Sequence, residues 1–194
     1  MPAKSSIDRR VRRTESLIES ALISLLAEKT FADVSITEIT VRAGIGRGTY
    51  YKHYSDKYAL LDAIENRILC ELDERLGYVS TRKYSESIRQ KILLRYQYFS
   101  ENIDTLRILF GPNGDVAFQQ RMRDNLWKGV YIEDYWFQLL ERRSGISLEY
   151  ISAINNMASV IFEIWLQKDE PESPEEMVEL TVNLTDIMKQ ILID

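Results

Sequence analysis

The sequence predicts an all-α fold of about nine helices, with a three-helix helix-turn-helix segment followed by a larger helical domain. Apolar residues recur at spacings of three and four, and no period-2 run is bounded by hairpin turns. Clusters of Gly, Pro, Ser and Asp separate segments of helical length. With 194 residues, of which 45% are hydrophobic, the chain can bury a core.

The first predicted helix runs from Asp8 to Lys29, and its apolar residues follow the helical period. Phe31 and Val34 are expected to fill the connection that follows it. The buried stripe predicted for this helix consists of Val11, Ile18, Ala21, Leu22, Leu25 and Leu26.

Two short helices are predicted after this connection. Ser35 and Glu38 have the spacing of a capping box, in which each side chain accepts a hydrogen bond from the backbone amide of the other. Gly44 stands where a left-handed residue ends the second helix, and Gly46 is a tolerated N-cap for the third. Two short helices separated by a glycine turn form a helix-turn-helix.

A longer helix is predicted to begin at Ser55-Asp56, a capping pair, and to continue to Leu76. These signals divide the chain into a helix-turn-helix domain over residues 1–54, a connecting helix over residues 55–76 and a helical domain over residues 77–194. Further helices are expected over residues 85–101, 102–110, 115–142, 147–167 and 174–192, with turns at 111–114, at 144–145 and over the polar segment 168–174.

The third helix, predicted over about Arg47 to His53, presents a polar face that is suited to duplex DNA. Tyr50 and Tyr54 are spaced to pack inward, which leaves five other side chains facing outward. Arginine can bind a guanine edge with two hydrogen bonds, lysine can neutralise a phosphate, hydroxyls can donate to phosphate oxygens, and glycine permits close approach. The alternative is an ordinary solvated helix surface. The outward set is Arg47, Gly48, Thr49, Tyr51 and Lys52.

Residues 35–64 resemble the DNA-binding segment of TetR-type transcriptional regulators, whose pattern is Thr/Ser-x-x-x-Ile-Ala-x-x-Ala-Gly-Val-Ser-x-Gly-Thr-x-Tyr-x-His-Phe-x-x-Lys-x-x-Leu. Thr40 stands in place of the usual alanine, and Gly46 in place of the usual capping serine. The positions that match are Ile39, Ala43, Gly44, Gly48, Thr49, Tyr51, His53, Lys57 and Leu60.

The resemblance implies a DNA-binding transcriptional regulator, expected to be a ligand-responsive repressor that binds a pseudo-palindromic operator as a homodimer. It also implies phosphate contacts by Thr37 and Lys57, and a structural or phosphate-side role for His53. The homodimer is expected to form through the last two helices, and a small-molecule effector to bind the C-terminal domain. Apolar stripes available for the dimer seam are Ile151, Ile154, Met157, Ala158, Ile161, Ile164 and Trp165, with Leu180, Leu184, Ile187, Met188 and Ile191.

Aromatic residues of the middle segment are candidates for the wall of an effector cavity. Core packing explains each of them equally well, so both interpretations stay open. The candidates are Phe99, Phe110, Phe118, Trp127 and Tyr131.

Charge is distributed unevenly along the chain. Residues 1–60 hold 10 Lys/Arg and 7 Asp/Glu, whereas the whole chain holds 25 and 30, so any polyanion contact is expected near the N-terminus. The arginines at positions 9, 10, 12 and 13 could reach a minor groove or phosphates, or could simply be solvated. An alternative function is a protein-binding module of the same fold, which would dock a co-regulator on its acidic C-terminal half.

Several classes of protein are disfavoured by the composition. Cys70 is the only cysteine and His53 the only histidine, so neither an internal disulfide nor a Cys/His metal site is expected. No cofactor and no catalytic residue is predicted, because no nucleophile is paired with a base. No apolar run approaches the ~18 residues of a membrane span, and the N-terminus lacks an apolar signal core, so a cytoplasmic location is expected.

Overall fold

The computed structural model describes residues 3–77, 84–127 and 159–193, and every regular element within them is helical. The predicted all-α class is therefore confirmed. A short 3₁₀ turn, Phe31–Asp33, follows the first helix. The helices are α1 (Ala3–Leu26), α2 (Ile36–Ala43), α3 (Arg47–Tyr50), α4 (Lys57–Gly77), α5 (Tyr84–Glu101), α6 (Ile103–Leu109), α7 (Val116–Trp127), α8 (described over 159–167) and α9 (Pro174–Ile193).

Most helix boundaries fall within a few residues of those predicted, as expected where local caps define them. The first helix differs most: α1 begins at Ala3 and ends at Leu26, whereas the sequence suggested residues 8–29. The predicted helices over 115–142 and 147–167 extend outside the described residues, as does the predicted turn at 144–145.

The chain forms two compact units. Unit 1 contains Met1–Ile68 and Ile108–Gln119, and unit 2 contains Leu69–Arg107 and Gln120–Asp194. Helix α4 contributes residues to both units, and the turn between α6 and α7 belongs to unit 1 although it lies far along the chain.

Unit 1 is built around apolar side chains of α1, α2 and α4. The residues of α1 that the period predicted to be buried are buried from Ile18 onward, but Val11 is 38% exposed. Removal of these side chains from water is the main stabilising contribution, at about 25 cal/mol per Å² of apolar area. The fully buried side chains of this unit include Ile18, Leu22, Ile39, Tyr50, Leu60, Ile64 and Phe118.

The turn over residues 111–114 holds the end of α1. The Asn113 side-chain amide donates to the carbonyl oxygen of Leu26 at 3.0 Å, and Leu26 is the last residue of α1. Gly114 closes the turn by donating to the Gly111 carbonyl at 3.0 Å. A Cβ atom on Gly114 would lie 1.8 Å from the carbonyl oxygen of Leu109, so the turn has no room for any other residue there.

Unit 2 contains an aromatic core between α5 and α8. Phe99 lies 4.5 Å from Phe162 and 6.3 Å from Trp165, measured between ring centroids, and all three are buried. The Trp165 indole donates to the Glu172 carbonyl at 2.8 Å. Trp165, assigned from the sequence to the dimer stripe, is thus part of the core of this unit.

Helix α9 begins with a second capping box that the sequence analysis did not single out. The Ser173 hydroxyl accepts from the Glu176 amide at 3.3 Å, and the Glu176 carboxylate accepts from the Ser173 amide at 2.8 Å. Hydrogen bonds from the Ser173 amide and from the Ser173 hydroxyl to the Glu176 carboxylate lower the pKa of Glu176. Pro174 occupies the first helical position, where its missing amide costs no hydrogen bond.

Candidate nucleic-acid interface

Helix α2 has the two ends that the sequence predicts. The Glu38 amide donates to the Ser35 hydroxyl at 3.3 Å, and the Ser35 amide donates to the Glu38 carboxylate at 3.0 Å, which completes the capping box. A hydrogen bond from Lys29, followed by those from Ser35, lowers the pKa of Glu38 to about 2. Gly44 has φ 65°, the left-handed conformation expected of a C-terminal glycine cap.

Helix α3 is shorter than the sequence suggested. Gly46 is its N-cap without a side-chain hydrogen bond, and regular helix ends at Tyr50 rather than at His53. Beyond that point the backbone continues as tighter i→i+3 turns, with the Lys52 amide bonded to the Thr49 carbonyl at 3.2 Å and the His53 amide to the Tyr50 carbonyl at 2.9 Å.

Tyr50 anchors α3 in unit 1, as predicted. Its side chain is fully buried, and its hydroxyl donates to the Asp56 carbonyl oxygen at 2.9 Å. Burial, followed by the charge of Asp56, raises the pKa of Tyr50 to about 12. Tyr54 is half-buried and donates to Glu19 of α1 at 3.3 Å. The two inward tyrosines thus fix the orientation of the helix.

The predicted outward face is exposed. Arg47, Gly48 and Lys52 are exposed, Tyr51 is 56% exposed and Thr49 is half-buried. No atom outside the neighbouring backbone lies within 4 Å of a Cβ built on Gly48. The structure therefore brings these residues together on one accessible surface, which we call the α3 face.

Thr37 joins the α3 face from the start of α2. The Arg47 guanidinium donates to the Thr37 hydroxyl oxygen, and both side chains are exposed. A hydroxyl that accepts one hydrogen bond can still donate its own proton, for example to a phosphate oxygen. The contact holds the guanidinium of Arg47 next to a group that can itself bind the DNA backbone.

Lys57 lies apart from the α3 face. Its ammonium group donates to the carbonyl oxygens of Phe31 at 2.8 Å, Ala32 at 2.9 Å and Val34 at 2.8 Å. It also lies 4.9 Å from the ring centroid of Phe31. Because an ammonium group has three donors, all of them are engaged within unit 1. Its expected phosphate contact stays a prediction, and the contacts shown stabilise the connection between α1 and α2.

His53 packs against α1. Its Nδ1 atom lies 3.3 Å from Glu15 Oε1, and only 12% of its side chain is exposed. This contact gives His53 a positioning role between α1 and the segment after α3. A direct contact between His53 and DNA stays a prediction.

The candidate effector residues that the structure describes are divided between the two units. Phe99 lies in the aromatic core of unit 2, whereas Phe110 and Phe118 pack together in unit 1, with ring centroids 6.0 Å apart. Trp127 ends α7, but its side chain lies outside the described residues, as does the whole of Tyr131. The assignment of these residues to an effector cavity stays a prediction.

Two positioning residues were not found by sequence analysis. Asn113 caps α1 across 87 positions of sequence, and Arg107 donates to the carbonyl oxygens of Leu166 and Lys168 in unit 2. The only sequence signal for Asn113 was its turn-forming segment, and α1 itself ends without a glycine or asparagine cap. For Arg107 no local pattern pointed to a partner.

Two short helices joined by a glycine turn, the second of which has a buried anchor and an exposed cationic and hydroxylated face, are typical of the helix-turn-helix class of DNA-binding proteins. The sequence profile described as bacterial regulatory proteins of the tetR family matches residues 18–64, and one described as a transcriptional regulator C-terminal region matches residues 86–187, more than half of the chain. The chain belongs to the tetR family of bacterial transcriptional regulators and carries its DNA-binding helix-turn-helix. The resemblance seen in the sequence is confirmed.

Individual relatives agree with this assignment. The HTH-type transcriptional regulator YxbF of Bacillus subtilis, which is uncharacterised, is 37% identical over 79 residues, covering 40% of this chain and 21% of that protein. MftR of Mycobacterium tuberculosis, provisionally assigned as a mycofactocin biosynthesis transcriptional regulator, is 31% identical over 107 residues, covering 55% of this chain and 54% of its own. The matches thus span about a fifth and about half of these relatives.

A solved fold covers almost the whole chain. The crystal structure of a TetR transcriptional regulator from Streptococcus agalactiae has a TM-score of 0.62 and 22% identity, and the match covers 93% of this chain and 98% of that one. At this identity the match establishes the fold. These proteins are transcriptional regulators and not enzymes, in agreement with the expectation from the sequence.

The described residues contain neither a membrane-spanning helix nor a metal-binding cluster of side chains. None of the helices described combines the length and the apolar character needed to cross a bilayer. No group of three or more His, Cys, Asp or Glu side chains that could hold a metal ion occurs in the same residues.

Proposed function

We propose that this regulator binds a pseudo-palindromic DNA operator as a homodimer, with α3 of each subunit in the major groove. The observation that carries the proposal is the α3 face, which is cationic, hydroxylated and exposed on a helix whose opposite side is anchored by the buried Tyr50. The two α3 helices would enter successive major grooves, about 34 to 36 Å apart. Such a regulator acts where the bacterial chromosome is, in the cytoplasm.

The residues of the α3 face have distinct roles in this proposal. Arg47 reads a guanine edge, because its planar guanidinium can donate to O6 and N7 together. Lys52, Thr49 and Tyr51 bind phosphates, and Thr37 binds a phosphate while it orients Arg47. Phosphate contacts fix the register of the helix, whereas base contacts give sequence preference.

Dimerisation through α8 and α9 is supported by their exposed apolar residues. Val160 and Ile164 are 52% and 54% exposed and lie one turn apart on α8. On α9, Leu180 and Ile187 are 36% and 51% exposed and lie two turns apart. These four side chains would be removed from water in a two-fold seam, which gives the operator its symmetry.

Selection of bound duplexes from a random DNA pool, followed by footprinting of the selected sequence, tests the proposal. We expect an inverted repeat with protection of two half-sites. If the protein shows no preference for any duplex even at low salt, the proposal fails and docking of a protein partner becomes the better hypothesis.

Two variants test the assigned roles on the selected operator. Arg47→Ala should cost about 1 to 3 kcal/mol of binding free energy and relax preference at one base position of each half-site. Lys52→Ala should weaken binding to all sequences. It should also reduce the slope of log K against log salt concentration by about one. Equal and salt-independent losses in both variants would contradict these roles.

Gly48→Ala separates folding from DNA binding. A Cβ at this position meets no atom within 4 Å, so the free protein should keep its stability or gain up to about 1 kcal/mol from better helix propensity. If the helix approaches DNA closely at Gly48, operator affinity should fall while the thermal midpoint stays the same or rises. Undiminished affinity would show that the backbone of α3 does not come close to the duplex.

In this proposal the protein represses transcription when it is bound to the operator, and a small-molecule ligand relieves the repression by weakening operator binding. Helix α4 contributes residues to both units, which makes it the candidate element for coupling them. A ligand that weakens operator binding must itself bind more weakly, by the same factor, when operator is present. Calorimetric titration of a candidate ligand with and without operator measures this factor. Equal ligand affinities in the two titrations would show that the two sites are not coupled.

A further inference from the structure

Helix α1 carries an arginine-rich segment ahead of the part that packs in unit 1. Among its residues from Arg9 onward, whose burial the structure describes, the first fully buried one is Ile18, whereas the arginines at positions 9, 10, 12 and 13 are all exposed. The matched tetR-family profile also begins at residue 18. The segment therefore lies outside the part of the chain that this profile matches. The DNA contacts proposed for the α3 face do not involve it.

The four arginines share one side of α1. At 3.6 residues per turn they fall within an arc of about 160°, and the centre of that arc lies about 170° away from the centre of the buried stripe of α1. Four guanidinium groups thus face away from the core of unit 1. We call this surface the arginine face; it consists of Arg9, Arg10, Arg12 and Arg13.

Along the axis of α1, the arginine face begins two residues before the point where α1 contacts the segment after α3. Glu15 of α1 contacts His53 at 3.3 Å, and His53 directly follows Lys52 of the α3 face. With an axial rise of 1.5 Å per residue, Arg13 lies about 3 Å and Arg9 about 9 Å beyond Glu15 along the helix axis. Both distances are small compared with the extent of a duplex half-site.

We propose that the arginine face is a second DNA contact, which binds backbone phosphates next to the half-site read by α3. This inference rests on the proposed operator binding. A guanidinium group is always charged and can bind two phosphate oxygens at once, which suits it to this role. Four such groups on one rigid side would add affinity that is independent of sequence.

The helical conformation favours phosphates over the minor groove, the two DNA contacts that the sequence left open. An α-helix with its side chains is about 10 to 12 Å wide, whereas the minor groove of B-DNA is about 6 Å wide. Arms that read the minor groove, such as those of homeodomains, enter as narrow segments. Since residues 9–13 are part of the continuous helix α1, the phosphates at the groove edge are the accessible partner.

The salt dependence of operator binding tests the proposal in the full-length protein. Each phosphate contact contributes about 0.9 to the slope of log K against log salt. If both residues bind phosphates, we expect Arg10→Gln/Arg13→Gln to lower the magnitude of this slope by about 1.8. The loss of affinity between 50 and 200 mM salt would then be smaller than in the unmodified protein by a factor of about 12. Base preference should stay unchanged, and Arg10→Lys/Arg13→Lys should restore most of the slope.

A control variant, Lys91→Gln/Lys168→Gln, removes the same charge from unit 2 and should leave the slope unchanged. Circular dichroism should show equal helix content in all variants. If Arg10→Gln/Arg13→Gln has the same slope as this control while it still binds the selected operator, the arginine face makes no phosphate contact and only this inference fails. If the unmodified protein selects no duplex, operator binding and this inference fail together.

Chemical interference mapping identifies the groups that are contacted. Ethylation of phosphates beside the half-site should weaken binding of the unmodified protein but not of Arg10→Gln/Arg13→Gln. Methylation of adenine N3 in the adjacent minor groove should have no effect on either protein. If adenine N3 methylation weakens binding in an arginine-dependent manner, the contact is in the minor groove and the proposal is wrong.

Discussion

Replacement of Lys57 by methionine tests whether this lysine is an internal anchor. Methionine keeps the apolar stem but removes the three hydrogen bonds to the carbonyl oxygens of Phe31, Ala32 and Val34. Water can replace the donor at the exposed Ala32 carbonyl, so the main loss comes from the other two. At about 1 kcal/mol for each part-buried bond, with about 0.5 kcal/mol for the cation–π contact, we expect unit 1 to lose about 2 to 3 kcal/mol.

Two assays measure this loss. Urea unfolding followed by circular dichroism gives the global change, and hydrogen exchange of the Asp33 and Val34 amides reports on the connection after α1. Both amides donate to carbonyls in the same short segment and should exchange faster in Lys57→Met. A loss below about 0.5 kcal/mol with unchanged exchange would refute the anchor role.

The same variant tests whether Lys57 also binds DNA. If the Lys57 ammonium group keeps its three hydrogen bonds to carbonyl oxygens in the complex, Lys57→Met should have the same salt slope of operator binding as the unmodified protein. The comparison is made at a temperature where the variant is folded. A slope lower by about one unit would show that the ammonium group leaves the carbonyls for a phosphate. Lys57→Arg serves as the charge-conserving control.

Three further predictions follow from local geometry. Gly114→Ala should destabilise unit 1 by more than about 2 kcal/mol in urea unfolding, because its Cβ would lie 1.8 Å from the last carbonyl oxygen of α6. Since hydrogen bonds from Lys29 and Ser35 lower the pKa of Glu38 from 4.5 to about 2, the stability that its charged form contributes is present above pH 4.5 and is lost as pH falls toward about 2. An acid titration of Glu38→Gln should therefore be flatter over that interval. Ile187→Glu should yield folded monomers in sedimentation experiments, because Ile187 is 51% exposed and its side chain is expected in the dimer seam.

The parts of the interface that the sequence predicted correctly are those fixed by short-range geometry. The capping box needs Ser35 and Glu38 three residues apart, and the left-handed turn needs a residue such as Gly44 that tolerates positive φ. Both requirements can be recognised within a few positions of sequence. The inward orientation of Tyr50 follows from helical periodicity in the same way.

The contacts that the sequence did not predict join distant segments. Asn113 bonds to the end of α1 across 87 positions, and Lys57 reaches carbonyls 23 to 26 positions away. Periodicity and capping patterns contain no information about such pairs. For the same reason the sequence could not show that Phe110 and Phe118 belong to unit 1 rather than to the unit that holds Phe99.

The charge available to DNA cannot be read from a count of Lys and Arg. Arg42 is held by both carboxylate oxygens of Glu28, at 2.5 and 3.0 Å, Lys29 is paired with Glu38, and Lys57 is bound to carbonyl oxygens. These cations stabilise the helix-turn-helix, because each joins two of its segments. Moving them onto phosphates would break those contacts, so most of the electrostatic attraction to DNA must come from cations on exposed faces. In the proposed complex the arginine face adds to the charges of Arg47 and Lys52, and the salt slope of Arg10→Gln/Arg13→Gln measures that addition.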